Sequence, residues 1–403
     1  MSTIPNGYKQ TEVGVIPNDW ECDELQKYFS FISYGFTNPM PTVSDGIYMI
    51  TANDVNDGRI KFETARKTSE TAYKYLLSDK SRPKKNDILL TKDGSLGRLA
   101  LVCDEKICIN QSVAVLRPNE KVYPLFLKLL LEDTYYQRTM IDNAGGSTIK
   151  HIYISIVNKM KVGIPPTIAE QISIATTLSD ANVLITKLEK LIDKKRNIKQ
   201  GAMQELLRPK DGWEVKKLGE IGECIIGLTY TPENVKDKGI LVLRSSNVQN
   251  NSLKYDDSVF VDCKIPEKLI NQENDILICV RNGSRNLIGK CAMIKGRAIG
   301  ETFGAFMTIY RSGFNEFVHI LFQSEIIKTQ IDEHLGATIN QITNKSLNSF
   351  EIPFPPISEQ TRIAKILTDM DADIVQLEKK LDKYKMMKQG MMQNLLTGKI
   401  RLT

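Results

Sequence analysis

The sequence repeats itself, and this repeat constrains the fold more than any other feature. Residues 168–207 align without a gap with residues 357–396, at an offset of 189 positions, and 20 of the 40 aligned residues are identical. The preceding stretches correspond more loosely, for example Trp20-Glu21 with Trp213-Glu214. The chain order is therefore globule, helix, globule, helix. The near-identical helices predict one task performed twice, whereas the dissimilar globules predict two different targets.

The repeated segments carry apolar residues at heptad spacing, which predicts two long helices packed on each other. In the second copy the intervals alternate between 4 and 3 from Ile363 to Leu395. Such a seam requires a partner helix, and the nearest partner is the other copy. We therefore predict an antiparallel coiled coil about 50 Å long; a zipper between two chains is the alternative. The residues predicted to form the coiled coil or to dock further subunits are Ile174, Leu178, Leu188, Ile192, Lys199, Ile363, Leu367, Leu377, Leu381 and Lys388.

Each globule mixes short strand-like runs with amphipathic stretches, which predicts the α+β class. Residues 88–102 and 276–294 have the pattern of hairpins around Gly-Ser turns. Residues 123–141 and 317–335 each have the pattern of one amphipathic helix. The fold class is therefore α+β, with two globules separated by two long antiparallel helices in an internal pseudo-two-fold repeat. The predicted segments are 1–165 and 211–355 for the globules, and 166–210 and 356–403 for the spacer helices.

The turns of the two predicted hairpins, and the polar loops before the long helices, are the candidate DNA contacts. Arg, Lys, Asn and Ser side chains on turns reach phosphates and base edges. The loops lie at equivalent places in both halves but differ in residue type, as expected for altered readout on a fixed frame. Solvated polar turns are the alternative. The candidates are Lys92, Ser95, Arg98, Lys150, His151, Arg281, Asn282, Arg285, Asn340 and Gln341, with Thr148 in the same loop as Lys150.

Catalytic patterns in the chain are weak, so no catalytic or metal-binding residue is predicted. Gly283 to Cys291 resembles a P-loop but has five residues between its glycines and lacks the Ser or Thr that binds Mg²⁺. Asp87, Asp104 and Lys106 have the carboxylate and lysine types of a metal-dependent nuclease, which is the less favoured alternative. A second alternative is a scaffold whose globules bind proteins rather than DNA.

Composition places further bounds on the function. Seven cysteines without a C-x-x-C pair argue against a disulfide framework and predict a reducing, cytoplasmic location. No apolar run reaches the ~20 residues that a membrane-spanning helix needs. A net charge of +6, from 54 basic and 48 acidic residues, permits a polyanionic partner without demanding one.

A particular string begins both repeated segments and carries a resemblance. It reads Pro-Pro-x-x-x-Glu-Gln-x-x-Ile-Ala, then Leu, then Leu-Glu-Lys, and the second copy is one residue shorter between its prolines and glutamate. The matching residues are Pro165, Pro166, Glu170, Gln171, Ile174, Ala175, Leu178, Leu188, Glu189 and Lys190, and then Pro355, Pro356, Glu359, Gln360, Ile363, Ala364, Leu367, Leu377, Glu378 and Lys379. With the globule and helix order, this string resembles the specificity subunit of type I restriction–modification systems over essentially the whole chain.

The resemblance implies a division of labour within a larger complex. Each globule would be a target recognition domain that reads one half of a bipartite double-stranded DNA sequence. The helical rod would fix the gap between the half-sites and seat two modification subunits, which bring S-adenosylmethionine and methylate adenine. Restriction subunits, acting as motor and nuclease, would use ATP and Mg²⁺. This chain would bind none of these cofactors and would be a non-catalytic subunit of the enzyme.

Overall fold

The computed structural model describes residues 4–146, 150–335 and 340–402. Contacts divide the chain into two compact units, one formed by Met1–Glu189 with Lys379–Thr403 and the other by Lys190–Glu378. Each unit therefore joins one predicted globule to part of each long helix. The four segments proposed above remain a prediction from the sequence, whereas the α+β class and the two long helices are confirmed. Thr148, one of the candidate contacts, lies outside the described residues.

Two helices are much longer than all the others in the described part of the chain. None of the described helices is both long and apolar enough to cross a membrane. The helices are α1 (Glu70–Tyr75), α2 (Pro124–Leu131), α3 (Thr134–Asp142), α4 (Ile154–Lys159), α5 (Ile168–Leu206), α6 (Leu218–Ile221), α7 (Asn315–Phe322), α8 (Glu325–His334), α9 (Asn344–Ser349) and α10 (Ile357–Leu395).

The first unit is built around a buried hairpin. Its strands are β1 (Tyr8–Thr11), β2 (Gly14–Pro17), β3 (Glu21–Glu24), β4 (Phe29–Tyr34), β5 (Ile47–Ile50), β6 (Val55–Asn56), β7 (Arg59–Ile60), β8 (Arg66–Thr68), β9 (Ile88–Thr91), β10 (Leu99–Leu101), β11 (Ile107–Ile109), β12 (Val113–Pro118) and β13 (Lys161–Ile164). The predicted hairpin is β9 paired antiparallel with β10, and the sheet order is β10-β9-β12-β4. A second sheet has the order β11-β5-β8, in which β11 runs parallel to β5.

The second unit repeats this arrangement. Its strands are β14 (Glu214–Lys217), β15 (Glu223–Ile226), β16 (Val235–Lys236), β17 (Ile240–Leu243), β18 (Val248–Gln249), β19 (Ser252–Leu253), β20 (Val259–Val261), β21 (Ile276–Cys279), β22 (Cys291–Met293), β23 (Thr302–Phe303), β24 (Met307–Arg311) and β25 (Glu351–Phe354). The predicted hairpin is β21 with β22, in the sheet order β15-β24-β21-β22. A second sheet, β16-β20-β17-β23, again contains one parallel pair.

The prediction of a single helix over 123–141, and of another over 317–335, is wrong. Each stretch forms two helices, α2 with α3 and α7 with α8. The backbone of Asp133 is extended, and its carboxylate accepts a hydrogen bond from the Tyr135 amide at 2.9 Å, which caps α3. Ser324 is extended in the same way before α8. Helical periodicity continues across both breaks, whereas the capping residues between them end one helix and begin the next.

Within each unit, α5 and α10 run in opposite directions. In the first unit, Ile174 shares a core with Leu395, and further along α5 Glu189 binds Lys385 at 2.8 Å. In the second unit, Arg196 binds Glu378 at 2.6 Å and Lys199 binds Asp371 at 2.6 Å. In both cases the residue number rises on α5 while its partner's number falls on α10, which confirms the predicted antiparallel pairing.

The repeated glutamine near the start of each long helix is hydrogen-bonded to backbone groups outside that helix. The side chain of Gln171 accepts a hydrogen bond from the Tyr123 amide at 2.7 Å and donates one to the Pro165 carbonyl at 3.1 Å. The side chain of Gln360 donates to the Pro355 carbonyl at 2.8 Å. Both glutamines are buried, and these bonds pair both ends of the Gln171 amide and the NH2 group of Gln360. The repeated glutamine therefore has a structural explanation.

Candidate nucleic-acid interface

A cleft of about 780 Å³ opens in the first unit beside the tip of the β9–β10 hairpin. Most of its lining residues have polar side chains, with apolar ones between them, and they come from the hairpin tip and from turns that are distant in the sequence. The lining includes Phe36, Met40, Thr51, Asn53, Arg66, Asp93, Asn110 and Ser112. A concave polar surface of this kind suits a ligand that offers many hydrogen-bonding groups, as base edges do.

Asp93, which lines the cleft, lies in a cluster of three charged or titratable side chains. The ammonium group of Lys92 lies 2.9 Å from the Asp93 carboxylate, and Nδ1 of His151 lies 2.6 Å from Asp93 Oδ1. Asp93 and His151 also pair through their backbones. The structure thus brings together the predicted residues Lys92 and His151. Because Nδ1 is engaged, Nε2 is the nitrogen of His151 that remains for a ligand.

A rigid turn forms the floor of the cleft. The buried carboxylate of Asp54 accepts hydrogen bonds from the Thr51 amide at 2.9 Å and from the Thr64 hydroxyl at 2.8 Å. The hydroxyl of Ser112 accepts a hydrogen bond from the Ala52 amide at 3.0 Å. These bonds hold the turn so that the intervening Asn53 is exposed. The side-chain amide of Asn53 is therefore accessible for hydrogen bonds with a base edge.

The other predicted contacts of the first unit lie on the outer surface of the same region. Arg98 is exposed and donates one hydrogen bond to the Val55 carbonyl at 3.3 Å. Lys150 is exposed next to His151. Ser95 lies in the hairpin tip, where its carbonyl accepts a hydrogen bond from the Thr91 hydroxyl. Arg98 and Lys150 are therefore placed to contact phosphates, whereas Ser95 is used in shaping the tip.

The second unit has the same frame with different side chains. The Arg281 amide donates to the Phe306 carbonyl at 3.2 Å, and Arg281 pairs with Gln341 in a β-bridge. In the first unit Asp93 makes both of these contacts, to Ser112 and His151. The equivalent residues are therefore Asp93 and Arg281, Ser112 and Phe306, and His151 and Gln341.

The remaining predicted contacts of the second unit are tied to the hairpin tip or near it. The side chain of Asn282 donates to the Ser245 hydroxyl at 3.1 Å. The side chain of Asn340 donates to the Gly283 carbonyl at 3.0 Å. Arg285 donates to the Asp332 carbonyl at 3.1 Å. These predicted residues are thus brought together at one end of the β21–β22 hairpin.

The structure does not assemble the alternative nuclease site. Both carboxylate oxygens of Asp87 are bound by Arg117, at 2.8 and 2.7 Å. Asp104 pairs with Lys85 at 2.7 Å, while Lys106 pairs elsewhere, with a glutamate. Among the described residues, no group of three or more His, Cys, Asp or Glu side chains is placed to hold a metal ion.

The pairing of Asp87 is a structural feature, because the second unit repeats it. Asp275 is bound by Arg311 at 2.9 and 2.7 Å, and both aspartates are almost completely buried. Arg117 lies on β12 and Arg311 on β24. Each reaches the aspartate that immediately precedes the first strand of its hairpin, β9 or β21. The Asn-Asp-Ile-Leu string common to both halves is therefore explained by an ion pair within each globule.

The seam residues of the long helices lie mostly inside the units. Ile174, Leu178, Ile363 and Leu367 are fully buried in the cores of their own units, and Leu188 and Ile192 are also buried. Leu377 and Leu381 are half-buried. The Lys199 ammonium is held by Asp371 and Gln323, and burial lowers the pKa of Lys388. The six buried side chains therefore offer no surface to another subunit.

Sequence reasoning missed the floor of the cleft and the aromatic residue of the second unit. Thr51, Asn53, Arg66, Ser245 and Phe306 are placed beside the hairpin tips by contacts between residues far apart in the sequence. One signal was present, because Thr51-x-x-Asp54 has the spacing of a capping box and aligns with Arg244-x-x-Asn247 in the repeat. Both segments form a short 3₁₀ turn closed by the side chain of its last residue.

Comparison with known families gives matches in both halves of the chain. The sequence signature described as "Type I restriction modification DNA specificity domain" matches residues 40–200 and again residues 210–383. The type I restriction enzyme MjaVIII specificity subunit of Methanocaldococcus jannaschii is 25% identical, covering 96% of this chain and 94% of its own length. The EcoKI specificity subunit of Escherichia coli is 28% identical over 47% of this chain and 44% of its own length.

A solved structure has the same fold along its whole length. The S subunit of the type I restriction–modification system of M. genitalium superposes with a TM-score of 0.61 and covers 98% of both chains. At 17% sequence identity, this superposition shows that the two chains share a fold and nothing more.

Proposed function

Because this chain belongs to the type I restriction modification DNA specificity family, with one copy of the domain in each half, we propose that each globule reads one half of a bipartite DNA target. The chain is a specificity subunit, and its role is DNA sequence specificity rather than catalysis. Lys and Arg side chains around each hairpin tip would contact phosphates and supply salt-dependent affinity. Side chains at the two hairpin tips and in the cleft of the first unit would contact base edges and supply specificity.

The observation that carries this proposal is the exchange of side chains on an unchanged frame. The two hairpin tips are held by equivalent backbone hydrogen bonds, yet Asp93 is replaced by Arg281 and Ser112 by Phe306. A carboxylate accepts hydrogen bonds and a guanidinium donates them, so the two positions favour different bases. The two long helices, by contrast, are identical at 20 of their 40 aligned positions.

We further propose that the long helices set the gap between the half-sites and dock two modification subunits. Helices α5 and α10 have 39 residues each, so each is about 58 Å long. The sequence similarity between α5 and α10 suggests that each helix binds one copy of the same partner. Docking would use exposed apolar side chains of the helices, such as Leu191, Ile198 and Met386, rather than the buried seam.

The chemistry of the complex would belong to the partner subunits. Modification subunits would bind S-adenosylmethionine and methylate adenine, and restriction subunits would use ATP and Mg²⁺. This chain would contribute the choice of sequence and the placement of the target adenines.

Co-expression with the modification subunits, followed by genome-wide mapping of methylated adenine, tests the proposal. We expect methylation at one bipartite motif with two different halves and a fixed gap. The purified complex should also bind this motif with an affinity that falls linearly on a log–log plot against salt concentration. Absence of any sequence motif would overturn the proposal.

The same binding measurement distinguishes the proposed DNA-reading function from the scaffold alternative. A scaffold whose globules bind proteins would show no salt-dependent DNA affinity, even with the modification subunits present. The measurement needs those subunits, because they complete the proposed DNA-binding complex.

A further inference from the structure

We propose that Arg281, stacked on the ring of Phe306, reads a guanine in the half-site of the second unit. This inference rests on the proposed function and adds the base and the two side chains that select it. The other arginine and asparagine side chains of the hairpin tip would then position the DNA or shape the tip.

The first support is the stacking of two exposed side chains. The Cζ atom of Arg281 lies 5.0 Å from the centre of the Phe306 ring. Phe306 is 57% exposed and Arg281 is exposed as well. An aromatic ring under a guanidinium holds the plane of the donor group in place. An exposed Phe–Arg pair beside a recognition hairpin is thus a preformed surface for a planar ligand.

The second support is that the guanidinium of Arg281 has no acceptor among the described residues. Among the residues that the structure describes, no acceptor binds the guanidinium of Arg281. Neighbouring arginines are engaged, since Arg285 donates to the Asp332 carbonyl at 3.1 Å and Arg244 pairs with Asp257 at 2.8 Å. A guanidinium has five donors in a fixed fork, and no residue in the described ranges takes up a side-chain donor of Arg281.

The third support is the rigidity of the backbone below Arg281. Its amide donates to the Phe306 carbonyl at 3.2 Å, and the β-bridge to Gln341 holds the same residue from the other side. The next side chain, Asn282, is tied to Ser245 at 3.1 Å. A fixed backbone and a stacked side chain reduce the conformational entropy lost on binding.

The ligand follows from the donor geometry. Guanine presents O6 and N7 as two neighbouring acceptors in the major groove, and a guanidinium binds both at once. Adenine offers N7 beside a donor, so it pairs poorly with two guanidinium donors. The first unit has Asp93 at the equivalent position, bound by Lys92 and His151, and we expect it not to require guanine there.

The direct test compares the motifs methylated by the wild-type complex and by an Arg281→Gln complex. We expect Arg281→Gln to reduce the preference for one guanine by roughly 5- to 140-fold, the range of one bidentate contact. The other half-site should not change. Phe306→Leu should weaken the same preference to a smaller degree, because it removes the ring and leaves the guanidinium.

A matched control is available in the same unit. Arg297 also lies over an aromatic ring, that of Tyr255, at 4.8 Å. It lies in the turn after β22, at the end of the hairpin opposite to the tip. Arg297→Gln removes an equivalent cation–π contact, and we expect it to leave the motif unchanged.

A second measurement changes the DNA and needs no variant beyond Arg281→Gln. Each guanine of the motif is replaced in turn by 7-deazaguanine, which lacks the N7 acceptor, and binding to the complex is measured. We expect one replacement in the second half-site to weaken wild-type binding but not Arg281→Gln binding. A bipartite motif that is unaltered by Arg281→Gln, or that has no N7-sensitive guanine in this half-site, would overturn the inference. No motif at all with wild-type protein would instead overturn the proposed function.

Discussion

Arg401, close to the end of the chain, binds the buried carboxylate of Glu170, with Nε 2.5 Å from Oε1 and Nη2 2.8 Å from Oε2. The same guanidinium binds Asp19 at 2.9 and 3.0 Å and holds the pKa of that carboxyl below its usual value. The segment after α10 therefore closes the first unit at the start of α5. In the second unit, Lys210, after α5, binds Glu359 at 3.2 Å, the repeat partner of Glu170.

Arg401→Ala should destabilise the first unit, because it leaves the carboxylate of Glu170 buried without its partner. We expect a loss of about 3 kcal/mol in the free energy of unfolding, measured by denaturant titration of the purified chain. Arg362→Ala is the control, since Arg362 is exposed and its pair with the half-buried Glu359 should contribute much less to stability. Equal effects of the two variants would contradict the structural role of the C-terminal segment.

Asp87→Ala should unfold the first globule rather than abolish a metal-dependent activity. It leaves the guanidinium of Arg117 in a mostly buried site, at a cost of about 3–5 kcal/mol. Asp104→Ala removes only an exposed pair with Lys85 and should change stability by less than about 1 kcal/mol. Cleavage of DNA by the purified chain with Mg²⁺, lost in Asp104→Ala, would instead support the nuclease.

The second unit should lose stability in mild acid because of His319. Burial, together with Lys199 and Lys295, lowers the pKa of His319 from 6.5 to about 4. Between these values the unfolded chain binds a proton that the folded unit excludes, so stability is present above pH 6.5 and is lost as pH falls toward 4. The loss should approach about 3 kcal/mol.

Denaturant titrations at several pH values test this, with two variants. His319→Gln should flatten the dependence between pH 6.5 and 4, whereas His334→Gln, at an exposed position, should not. An unchanged slope in His319→Gln would show that the pH dependence arises elsewhere.

The repeat and the heptad seam predicted the fold because both can be recognised in the sequence without knowledge of which residues are in contact. The hairpins were also predictable, since apolar runs flank a Gly-Ser turn. The breaks at Asp133 and Ser324 were not, because helical periodicity continues across them. The candidate interface could be predicted only in part: Lys92 and His151 stand out as polar residues in loops, whereas Asn53 and Phe306 acquire their positions through contacts with residues far away in the sequence.

The length of the helices should set the gap between the half-sites. Matched insertions of one heptad after Glu189 in α5 and after Glu378 in α10, which correspond in the repeat, lengthen both helices by about 10 Å. We expect the methylated motif to keep both halves and to gain about 3 base pairs in its gap. An insertion in α5 alone puts the two seams out of register and serves as the control. An unchanged gap after the matched insertions would show that the helices do not measure distance.

The central claim is that each globule reads its half-site independently. It is tested by a chain in which residues 21–164 replace residues 214–354, with both junctions in equivalent strand pairs, β3 with β13 and β14 with β25. Mapping of methylated adenine with the modification subunits should then give a symmetric motif, made of the first half-site and its inverted copy across a gap. A motif that still contained the original second half-site would contradict the account.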